Sequence, residues 1–340
     1  MTLRPPLLTA PRLRRRRLVR TIAATGLAAG PLGWSTAAGA AEWPAKPVRL
    51  IVPAPAGSSL DVIARMLSEH LREPWKQPVL VENKAGAGGM IGVGTVAKAP
   101  ADGLQIAVGF NGPIAFGPYM YRKMNYDPVK DLVPVILTTS QPNVLAVTAG
   151  HPARTLREFV DWARQQQGKL NYASVGAGSS SHLTMELFKR AAGFEGTHVA
   201  FGGSPPAALS VASGDTQAIF TVAPALLPMV KNDRLRFIAT TGASRDPLLP
   251  DLPTIAESGY AGFEALAWNG LFVPAGTPAE ILARIEADVG TALKLPAVRN
   301  ALAQQGLQAG GGTRESFARF IAEERDKWSV IIRQANIQLD

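Results

Sequence analysis

One order of residues occurs twice in this chain and restricts the folds open to it. Residues 48–67 read VRLIVPAPAGSSLDVIARML, and residues 170–188 read LNYASVGAGSSSHLTMELF. Each segment has a short apolar run typical of a buried parallel strand, then a loop rich in Gly and Ser, then an amphipathic helical pattern. Similar patterns alternate along most of the chain, which predicts an α/β fold with mostly parallel sheets flanked by helices.

The predicted elements are short and follow the spacing of the apolar residues. Strands are expected at 48–52, 79–82, 104–109, 170–175, 198–201, 217–220 and 236–240, with extended segments at 135–139 and 143–148 around Pro142. Helices are expected at 61–72, 95–99, 183–192 and 313–335. Capping-box patterns predict two further helix starts, at 155–158 (TLRE) and 277–280 (TPAE).

Residues 1–41 predict an export signal. Seven arginines and no acidic residue are followed by a weakly apolar run and the stretch AAGAA, a pattern typical of a signal peptide cleaved after Ala40 or Ala41. The apolar run is short and interrupted by Gly and Pro, which argues against a membrane anchor. Arg15–Arg17 fit both a twin-arginine signal and an arginine-rich Sec signal, so the export route stays open. We therefore expect a periplasmic protein.

Charge and composition exclude several classes of function. The net charge of +9 comes mostly from residues 1–41, because the rest of the chain has 28 basic and 26 acidic residues, so we expect no nucleic-acid partner. Cys is absent, which excludes disulfides, thiolate nucleophiles and Cys-ligated zinc. The four histidines are far apart, and no nucleophile-elbow, zinc-protease or P-loop string occurs. We expect no metal, no cofactor and no catalytic residue.

The two Gly/Ser loops are the candidate ligand site. Both contain Ala-Gly-Ser-Ser, at 56–59 and at 177–180, where the carboxyl end of a strand leads into a helix. The first amides of a helix lack intrahelical acceptors and carry the positive end of the helix dipole, while Gly permits close approach and Ser adds donors. Two such loops facing across a cleft would grip both ends of a small dicarboxylate. In the alternative interpretation, these serines are only N-caps.

Four other residues have two interpretations each. Asp61 is either an early-turn acid favoured by the helix dipole or a hydrogen-bonding group in the cleft, and we prefer the structural role because an acid would repel a carboxylate. Asn111 is a turn residue or a ligand donor. Phe201 begins a loop that lines the cleft or only turns the chain, and Trp268 packs between domains or covers a ligand.

Six segments resemble one family. They are residues 49–64, 80–92 (LVENKAGAGGMIG), 124–135 (MNYDPVKDLVPV), 175–183 (VGAGSSSHL), 198–207 (HVAFGGSPPA) and 270–281 (GLFVPAGTPAEI). They resemble the periplasmic solute-binding receptors of tripartite tricarboxylate transporters, often called Bug proteins. The resemblance implies a type II periplasmic binding fold, a two-lobed Venus flytrap. We expect one lobe at 43–140 plus 267–340 and the other at 141–266.

The resemblance also implies a binding site. In the family, the two Gly/Ser loops hold the carboxylate of the ligand through backbone amides, hydroxyls and ordered water, and the matching residues here are Pro55, Ala56, Gly57, Ser58, Ser59, Asp61, Gly178, Ser179, Ser180 and Ser181. Asn111, Phe201, Gly202 and Thr221 complete the predicted ligand-binding set. Gly202 stands where many relatives have Lys, and Thr221 where many have Asp. A less charged cleft favours an aromatic or less polar monocarboxylate over an aspartate-like ligand.

The resemblance therefore implies a receptor rather than an enzyme. We expect a monomer that captures a small carboxylate and delivers it to the membrane permease subunits of a tripartite tricarboxylate-type transporter. Two alternatives remain at this point. One is an exported α/β serine hydrolase that uses Ser179 or Ser180 with His182. The other is an orphan receptor that signals to a membrane sensor.

Overall fold

A computed structural model describes residues 43–339, so the predicted signal peptide lies outside the described residues. In chain order the elements are β1 (Val48–Val52), α1 (Ser59–Trp75), β2 (Val79–Asn83), α2 (Met90–Ala97), β3 (Gln105–Phe110), α3 (Gly117–Met120), β4 (Leu132–Thr148), α4 (Leu156–Gln165), β5 (Asn171–Ser174), α5 (Ser180–Ala192), β6 (Thr197–Ala200), α6 (Ser204–Ser213), β7 (Ala218–Val222), α7 (Ala223–Lys231), β8 (Leu235–Thr240), β9 (Leu266–Pro274), α8 (Ala279–Lys294), α9 (Pro296–Gln304), β10 (Gln308–Gly311) and α10 (Arg314–Gln334). The predicted alternation of strands and helices is confirmed.

The strands form one extended sheet in the order β2-β1-β3-β9-β4-β7-β5-β6, with β10 and β8 also paired to β4. At one end β2, β1 and β3 are parallel, and at the other end β7, β5 and β6 are parallel. Between them β9 and β4 run antiparallel to each other and to their outer neighbours. Each half therefore has a parallel set whose carboxyl ends lead into helices, the edge at which α/β proteins place their ligands.

The long strand β4 joins the two halves. Its first part pairs with β9 as far as Pro142 opposite Leu266, and from Asn143 onward it pairs with β7 and β8. The two extended segments predicted around Pro142 are thus parts of one strand. Proline has no amide to donate, and Pro142 lies where the pairing partner changes.

Three apolar clusters hold the helices against the sheet. In the first half, Ile63 and Leu67 of α1 and Ile285 of α8 pack with the buried residues of β1 and β3. In the second half, α6 and α7 pack on one face of the sheet, and Phe159 and Phe188 of α4 and α5 belong to the cluster on the other. Within the described residues, none of the helices has both the length and the apolar character that a membrane crossing requires.

One of the two predicted capping boxes is present. Thr155 accepts a hydrogen bond from the amide of Glu158 at 3.3 Å, and the Glu158 carboxylate accepts one from the amide of Thr155 at 3.2 Å. The prediction at Thr277 was wrong, because its hydroxyl donates to the Pro274 carbonyl at 2.7 Å and closes the turn after β9. The helix α8 begins two residues later, at Ala279. The helix predicted at 95–99 begins earlier, at Met90.

Candidate functional site

The first loop, residues 55–59, joins β1 to α1 and ends in an N-cap. The Ser58 hydroxyl accepts a hydrogen bond from the amide of Asp61 at 3.3 Å. Gly57 has a φ of 80°, in the region that glycine adopts without strain, and its amide donates to Asp61 Oδ2 at 2.9 Å. The loop is therefore closed on itself by two hydrogen bonds to the first turn of the helix that follows it.

Both oxygens of the Asp61 carboxylate accept hydrogen bonds from protein neighbours. Besides the Gly57 amide, Arg65 Nε donates to Oδ2 at 2.9 Å and Asn83 Nδ2 donates to Oδ1 at 3.0 Å. The hydrogen bond from Arg65, with those from Gly57 and Asn83, lowers the pKa of Asp61 to about 2 against the opposing effect of burial. Asp61 therefore stays ionised and holds the first loop to β2 and α1.

The second loop, residues 176–180, joins β5 to α5 with the same backbone design. The Ser179 hydroxyl accepts from the amide of His182 at 3.3 Å and donates to the Gly176 carbonyl at 2.6 Å. Gly178 has a φ of 72°, and its amide donates to His182 Nδ1 at 3.1 Å. An imidazole thus occupies the position that a carboxylate holds in the first loop.

His182 lies against a second histidine. The rings of His182 and His198 stack with centroids 3.6 Å apart and planes at 7°, and the Tyr172 ring lies near both, with its centroid 5.2 Å from that of His198 and 6.2 Å from that of His182. Burial, with smaller contributions from His198 and Lys189, lowers the pKa of His182 to about 3. Burial also lowers the pKa of His198. His182 is therefore neutral, as its acceptance of the Gly178 amide at Nδ1 requires.

The start of α5 is fixed to the sheet by side chains. Asn143 Nδ2 on β4 donates to Ser180 Oγ at 3.0 Å and to Thr184 Oγ1 at 3.1 Å. The Ser181 hydroxyl donates to the Phe220 carbonyl on β7. These bonds set the direction in which the first amides of α5 point.

Each helix start leaves backbone donors free. Ser59 and Leu60 are the first two residues of α1, and Ser180 and Ser181 are the first two of α5. Such amides have no acceptor within their own helix, and none of these four is hydrogen-bonded to any residue between 43 and 339. All four residues line the same cavity. Two helix N-termini with unpaired backbone donors therefore border one cavity.

The cavity between these helix starts has a volume of about 410 Å³. Its walls come from both ends of the sheet and from β4 and β9, and its lining residues are Ser59, Leu60, Gly88, Phe110, Asn111, Gly112, Met120, Tyr121, Gln141, Asn143, Val175, Gly176, Ala177, Gly178, Ser179, Ser180, Ser181, Ser204, Thr221, Val222, Ala267, Trp268 and Asn269. None of these residues carries a charged side chain. Positive potential in the cavity comes from backbone and side-chain dipoles alone.

About half of the predicted ligand-binding residues line this cavity. Those in the lining are Ser59, Asn111, Gly178, Ser179, Ser180, Ser181 and Thr221. Those outside it are Pro55, Ala56, Gly57, Ser58, Asp61, Phe201 and Gly202. The residues of the first loop before Ser59 serve its turn and cap, and Phe201 packs beside the apolar cluster of the second half.

Comparison with protein families gives a match over most of the chain. Residues 63–337 match the family model described as tripartite tricarboxylate transporter family receptor. This chain belongs to that family. Protein BugT of Bordetella pertussis is 32% identical over 323 residues, which cover 95% of this chain and 99% of BugT. The predicted resemblance is confirmed, and the family is one of substrate-binding receptors rather than enzymes.

Two solved structures of receptors share the fold. Rpa4515 of R. palustris, solved with adipate, is 35% identical with a TM-score of 0.77, and the match covers 87% of this chain and 99% of that one. MatC (Rpa3494) from Rhodopseudomonas palustris, solved with bound malate, is 31% identical with a TM-score of 0.73, and the match covers 85% of this chain and 100% of MatC. The two-lobed periplasmic binding fold predicted from the sequence is confirmed.

The serine hydrolase alternative has no support in this family or in this geometry. The Ser179 hydroxyl donates to the Gly176 carbonyl, and the Ser180 hydroxyl accepts from Asn143. His182 Nδ1 accepts the Gly178 amide, and neither serine hydroxyl is hydrogen-bonded to an imidazole within the part of the chain described. A hydrolase needs that bond to activate its nucleophile.

Sequence reasoning missed much of the receptor cavity. Gln141 and Asn143 on β4, Asn269 on β9 and Tyr121 after α3 all line it and were not predicted. Three of these are amide side chains within strands or extended segments of the chain, and buried polar residues of that kind usually have a specific partner. That signal was present in the sequence. Trp268 lines the cavity, and its indole donates to the buried Glu324 at 3.0 Å.

Proposed function

We propose that this chain is a periplasmic receptor that captures a small carboxylate between its lobes and delivers it to the membrane subunits of a tripartite tricarboxylate-type transporter. Membership of the receptor family supports the transport role. The adipate bound to Rpa4515 and the malate bound to MatC support a carboxylate as the ligand.

One observation carries the proposal. Ser59 and Leu60 at one helix start and Ser180 and Ser181 at another, all four with free amides, line a single cavity. A carboxylate is acceptor-only and negatively charged, so it pairs these donors and gains from both helix dipoles. Each hydrogen bond to a charged group of this kind contributes about 1.5–3 kcal/mol. The cavity volume of about 410 Å³ suits a small organic acid.

We further propose the contacting residues. Of those predicted from the sequence, Ser59, Asn111, Ser180, Ser181 and Thr221 are offered to the ligand by their side chains or amides, with Gly178 allowing close approach. Ser179 acts as the N-cap of α5, because its amide and its hydroxyl both donate to the Gly176 carbonyl. Pro55, Ala56, Gly57, Ser58 and Asp61 act indirectly, through the shape of the first loop. Phe201 and Gly202 have no place in this set, because neither lines the cavity.

The lobes are proposed to divide at 43–140 plus 267–340 and at 141–266. The change of pairing in β4 supports this division, because the strand leaves β9 and joins β7 and β8 at Pro142 and Asn143. Between residues 43 and 339, the chain passes from one proposed lobe to the other within β4 and returns within β9. Because the connections are two strands, the lobes can hinge about them. A ligand that contacts both helix starts favours the closed arrangement.

Location and assembly follow from the same proposal. Residues 1–41 are proposed to direct export to the periplasm and to be removed. The mature receptor is proposed to act as a monomer with no nucleic-acid partner. Size-exclusion chromatography with light scattering, on protein recovered from the periplasm, tests whether the receptor is a monomer. Its N-terminal sequence tests whether residues 1–41 are removed.

The binding test removes single free amides without disturbing the helices. Ser59→Pro and Ser180→Pro each delete one N–H at the first helical position, where proline is favoured. The preceding serines have φ of −71° and −72° with ψ of 163°, a conformation compatible with a following proline. We expect each variant to bind an accepted carboxylate at least about tenfold more weakly in calorimetry.

Matched controls separate the amide from the hydroxyl. Ser59→Ala and Ser180→Ala keep the backbone donor and lose only the side chain, so they are expected to bind more tightly than the proline variants. A panel of mono- and dicarboxylates that gives no heat and no thermal stabilisation with the unmodified protein would contradict the proposal.

A further inference from the structure

The segment after α10 lies along the residues that follow α3. The Leu339 amide donates to the Met120 carbonyl at 2.9 Å, and Leu339 pairs with Tyr121 in an isolated parallel β-bridge. Arg122 Nη2 also donates to Gln338 Oε1 at 3.4 Å. Met120 and Tyr121 both line the cavity. Backbone hydrogen bonding therefore ties Leu339 to one wall of the proposed ligand site.

The Leu339 side chain also meets the second Gly/Ser loop. A Cβ atom at Gly178 would lie 2.8 Å from Leu339 Cδ1 and 2.8 Å from Met120 Sδ, much closer than the van der Waals separation of such atoms. Gly178 itself has a φ of 72° and lines the cavity. The Leu339 and Met120 side chains therefore fill the space beside the Gly178 backbone, and only glycine leaves room for them.

This contact joins the two proposed lobes. Met120 and Leu339 belong to the lobe at 43–140 plus 267–340, and Gly178 belongs to the lobe at 141–266. None of the three residues lies in β4 or β9, the strands within which the chain crosses between the lobes. Hinge motion about those strands changes the separation of residues outside them, so opening of the lobes breaks this contact and closure forms it.

The contact is apolar. Leu339 is half-buried and packs against the apolar cluster that contains Met120. Burial of apolar surface is favourable and needs no exact geometry, so a leucine between two lobes stabilises the arrangement in which both touch it. The interlobe contact at Gly178 therefore adds to the stability of the closed receptor.

We propose that Leu339 is a positioning residue of the receptor, which holds the Met120–Tyr121 wall against the Gly178 loop and so favours the closed arrangement of the lobes around a bound acid. Leu339 does not line the cavity, so it acts on the ligand through Gly178 and Met120. A contact made in the closed arrangement raises the affinity for every acid that the cavity accepts. It also slows dissociation, because the ligand leaves after the lobes part.

This inference rests on the proposed carboxylate-binding function and adds to it a residue outside the cavity. Its test compares two apolar residues of one segment. Leu339→Ala removes the side chain that meets Gly178. Ile337→Ala is the matched control, because Ile337 is also half-buried and packs against the same cluster, while none of the three atoms nearest to a Cβ at Gly178 belongs to it.

Binding of adipate, malate, hexanoate and benzoate is measured by calorimetry. For the acid that binds the unmodified protein most tightly, we expect Leu339→Ala to bind about fivefold more weakly and Ile337→Ala to stay within about twofold of the unmodified protein. Stopped-flow dilution gives the dissociation rate from tryptophan fluorescence, since Trp268 lines the cavity. The dissociation rate of Leu339→Ala is expected to rise by about the same factor as its affinity falls.

Two further measurements separate positioning from general packing. Leu339→Met keeps an apolar side chain of similar volume and is expected to restore the affinity to within about twofold of the unmodified protein. The melting temperatures of Leu339→Ala and Ile337→Ala without ligand are expected to lie within about 3 °C of each other, because each variant loses one half-buried apolar side chain.

The outcomes distinguish this inference from the function on which it rests. If none of the four acids binds the unmodified protein, the carboxylate-receptor function fails and the inference fails with it. If an acid binds and Leu339→Ala keeps its affinity, the inference alone is overturned. It is overturned equally if Ile337→Ala loses as much affinity as Leu339→Ala, or if Leu339→Met does not restore it.

Discussion

The two loops share a backbone and differ in the side chain that holds it. The N-cap serines have nearly the same conformation, with φ of −71° and −72° and the same ψ of 163°. In each loop a left-handed glycine donates its amide to the side chain four residues later. That side chain is the Asp61 carboxylate in the first loop and the His182 imidazole in the second. The same turn is therefore built once with a charge and once without.

The difference has an electrostatic consequence at the cavity. Asp61 places a negative charge behind the first helix start, and Arg65 offsets it only in part because the arginine is largely exposed. Neutral His182 places no charge behind the second. A carboxylate therefore meets the dipole of α5 without an opposing anion, while the first loop gains rigidity from its ion pair. We infer that the second loop supplies the stronger anion contact.

The largest expected effect comes from breaking the charged loop. Asp61→Ala removes the acceptor of the Gly57 amide, Arg65 and Asn83 at once, so three hydrogen bonds to one buried carboxylate are lost. We expect a loss of about 3 kcal/mol in the free energy of unfolding, measured with urea at pH 7. Asp61→Asn retains one oxygen acceptor and should lose less. Equal stability of Asp61→Ala and the unmodified protein would mean that the first loop does not depend on this carboxylate.

The second loop is expected to respond to acid. The pKa of His182 is about 3, well below the ordinary 6.5, so below pH 6.5 the unfolded chain takes up a proton that the folded chain refuses. Stability from this site is complete above pH 6.5 and falls as the pH decreases towards 3, by about 2–3 kcal/mol at pH 4.5. Asp61 behaves differently, because its contribution is lost only between pH 3.8 and about 2.

The groups around His182 define the control for this measurement. His198 stacks on His182, Lys189 lies near it, and Tyr172 and Glu186 complete the surroundings through the hydrogen bond between them. His182→Asn keeps an acceptor for the Gly178 amide and cannot titrate, so its unfolding free energy should depend less steeply on pH between 6.5 and 4.5. A slope unaltered by His182→Asn would contradict the assignment.

The sequence predicted the loops and missed the walls for a physical reason. Ala-Gly-Ser-Ser between a strand and a helix encodes a turn locally, because the glycine, the N-cap and the acceptor four residues on are all neighbours in the chain. Gln141 and Asn269 enter the cavity only because β4 pairs with β9, over a sequence separation of more than a hundred residues. No local pattern contains that pairing. The capping box at Thr277 failed for a related reason, since its hydroxyl closes a turn after β9 instead.

Some helices were also missed because their sequences have little periodicity. The segment SPPAALSVAS forms α6 from small residues and prolines, with Ala207 and Val211 buried against the second half of the sheet. Their packing is decided by the neighbouring strands rather than by a clear apolar stripe. The helices α1, α5 and α10, which have such stripes, were predicted within a few residues of their observed bounds.

A smaller effect ranks the two loops as anion sites. If the second loop supplies the stronger contact, Ser180→Pro should weaken the binding of a carboxylate about fivefold more than Ser59→Pro does. Since Ser180→Pro also removes the oxygen that accepts from Asn143, the comparison needs Ser180→Ala, which loses the same oxygen and keeps the amide. Calorimetry on the four variants with one acid gives the ranking. Equal losses of affinity, or a larger loss for Ser59→Pro, would show that the charge of Asp61 does not weaken carboxylate binding at the first loop.

The smallest expected effect concerns Arg65, an exposed side chain that donates a hydrogen bond to the Asp61 carboxylate. Arg65→Met leaves the Gly57 and Asn83 hydrogen bonds in place, so stability at neutral pH should change little, as is usual for an exposed ion pair. The pKa of Asp61 should nevertheless rise towards its ordinary value, because the hydrogen bond from Arg65 is the largest cause of its lowering. The stability lost between pH 3.8 and about 2 should then be smaller than in the unmodified protein or in Arg72→Met, which removes an arginine from the last turn of the same helix. An unchanged acid transition in Arg65→Met would assign the stability of the first loop to the Gly57 and Asn83 bonds alone, and the two loops would then differ in charge without differing in what holds them.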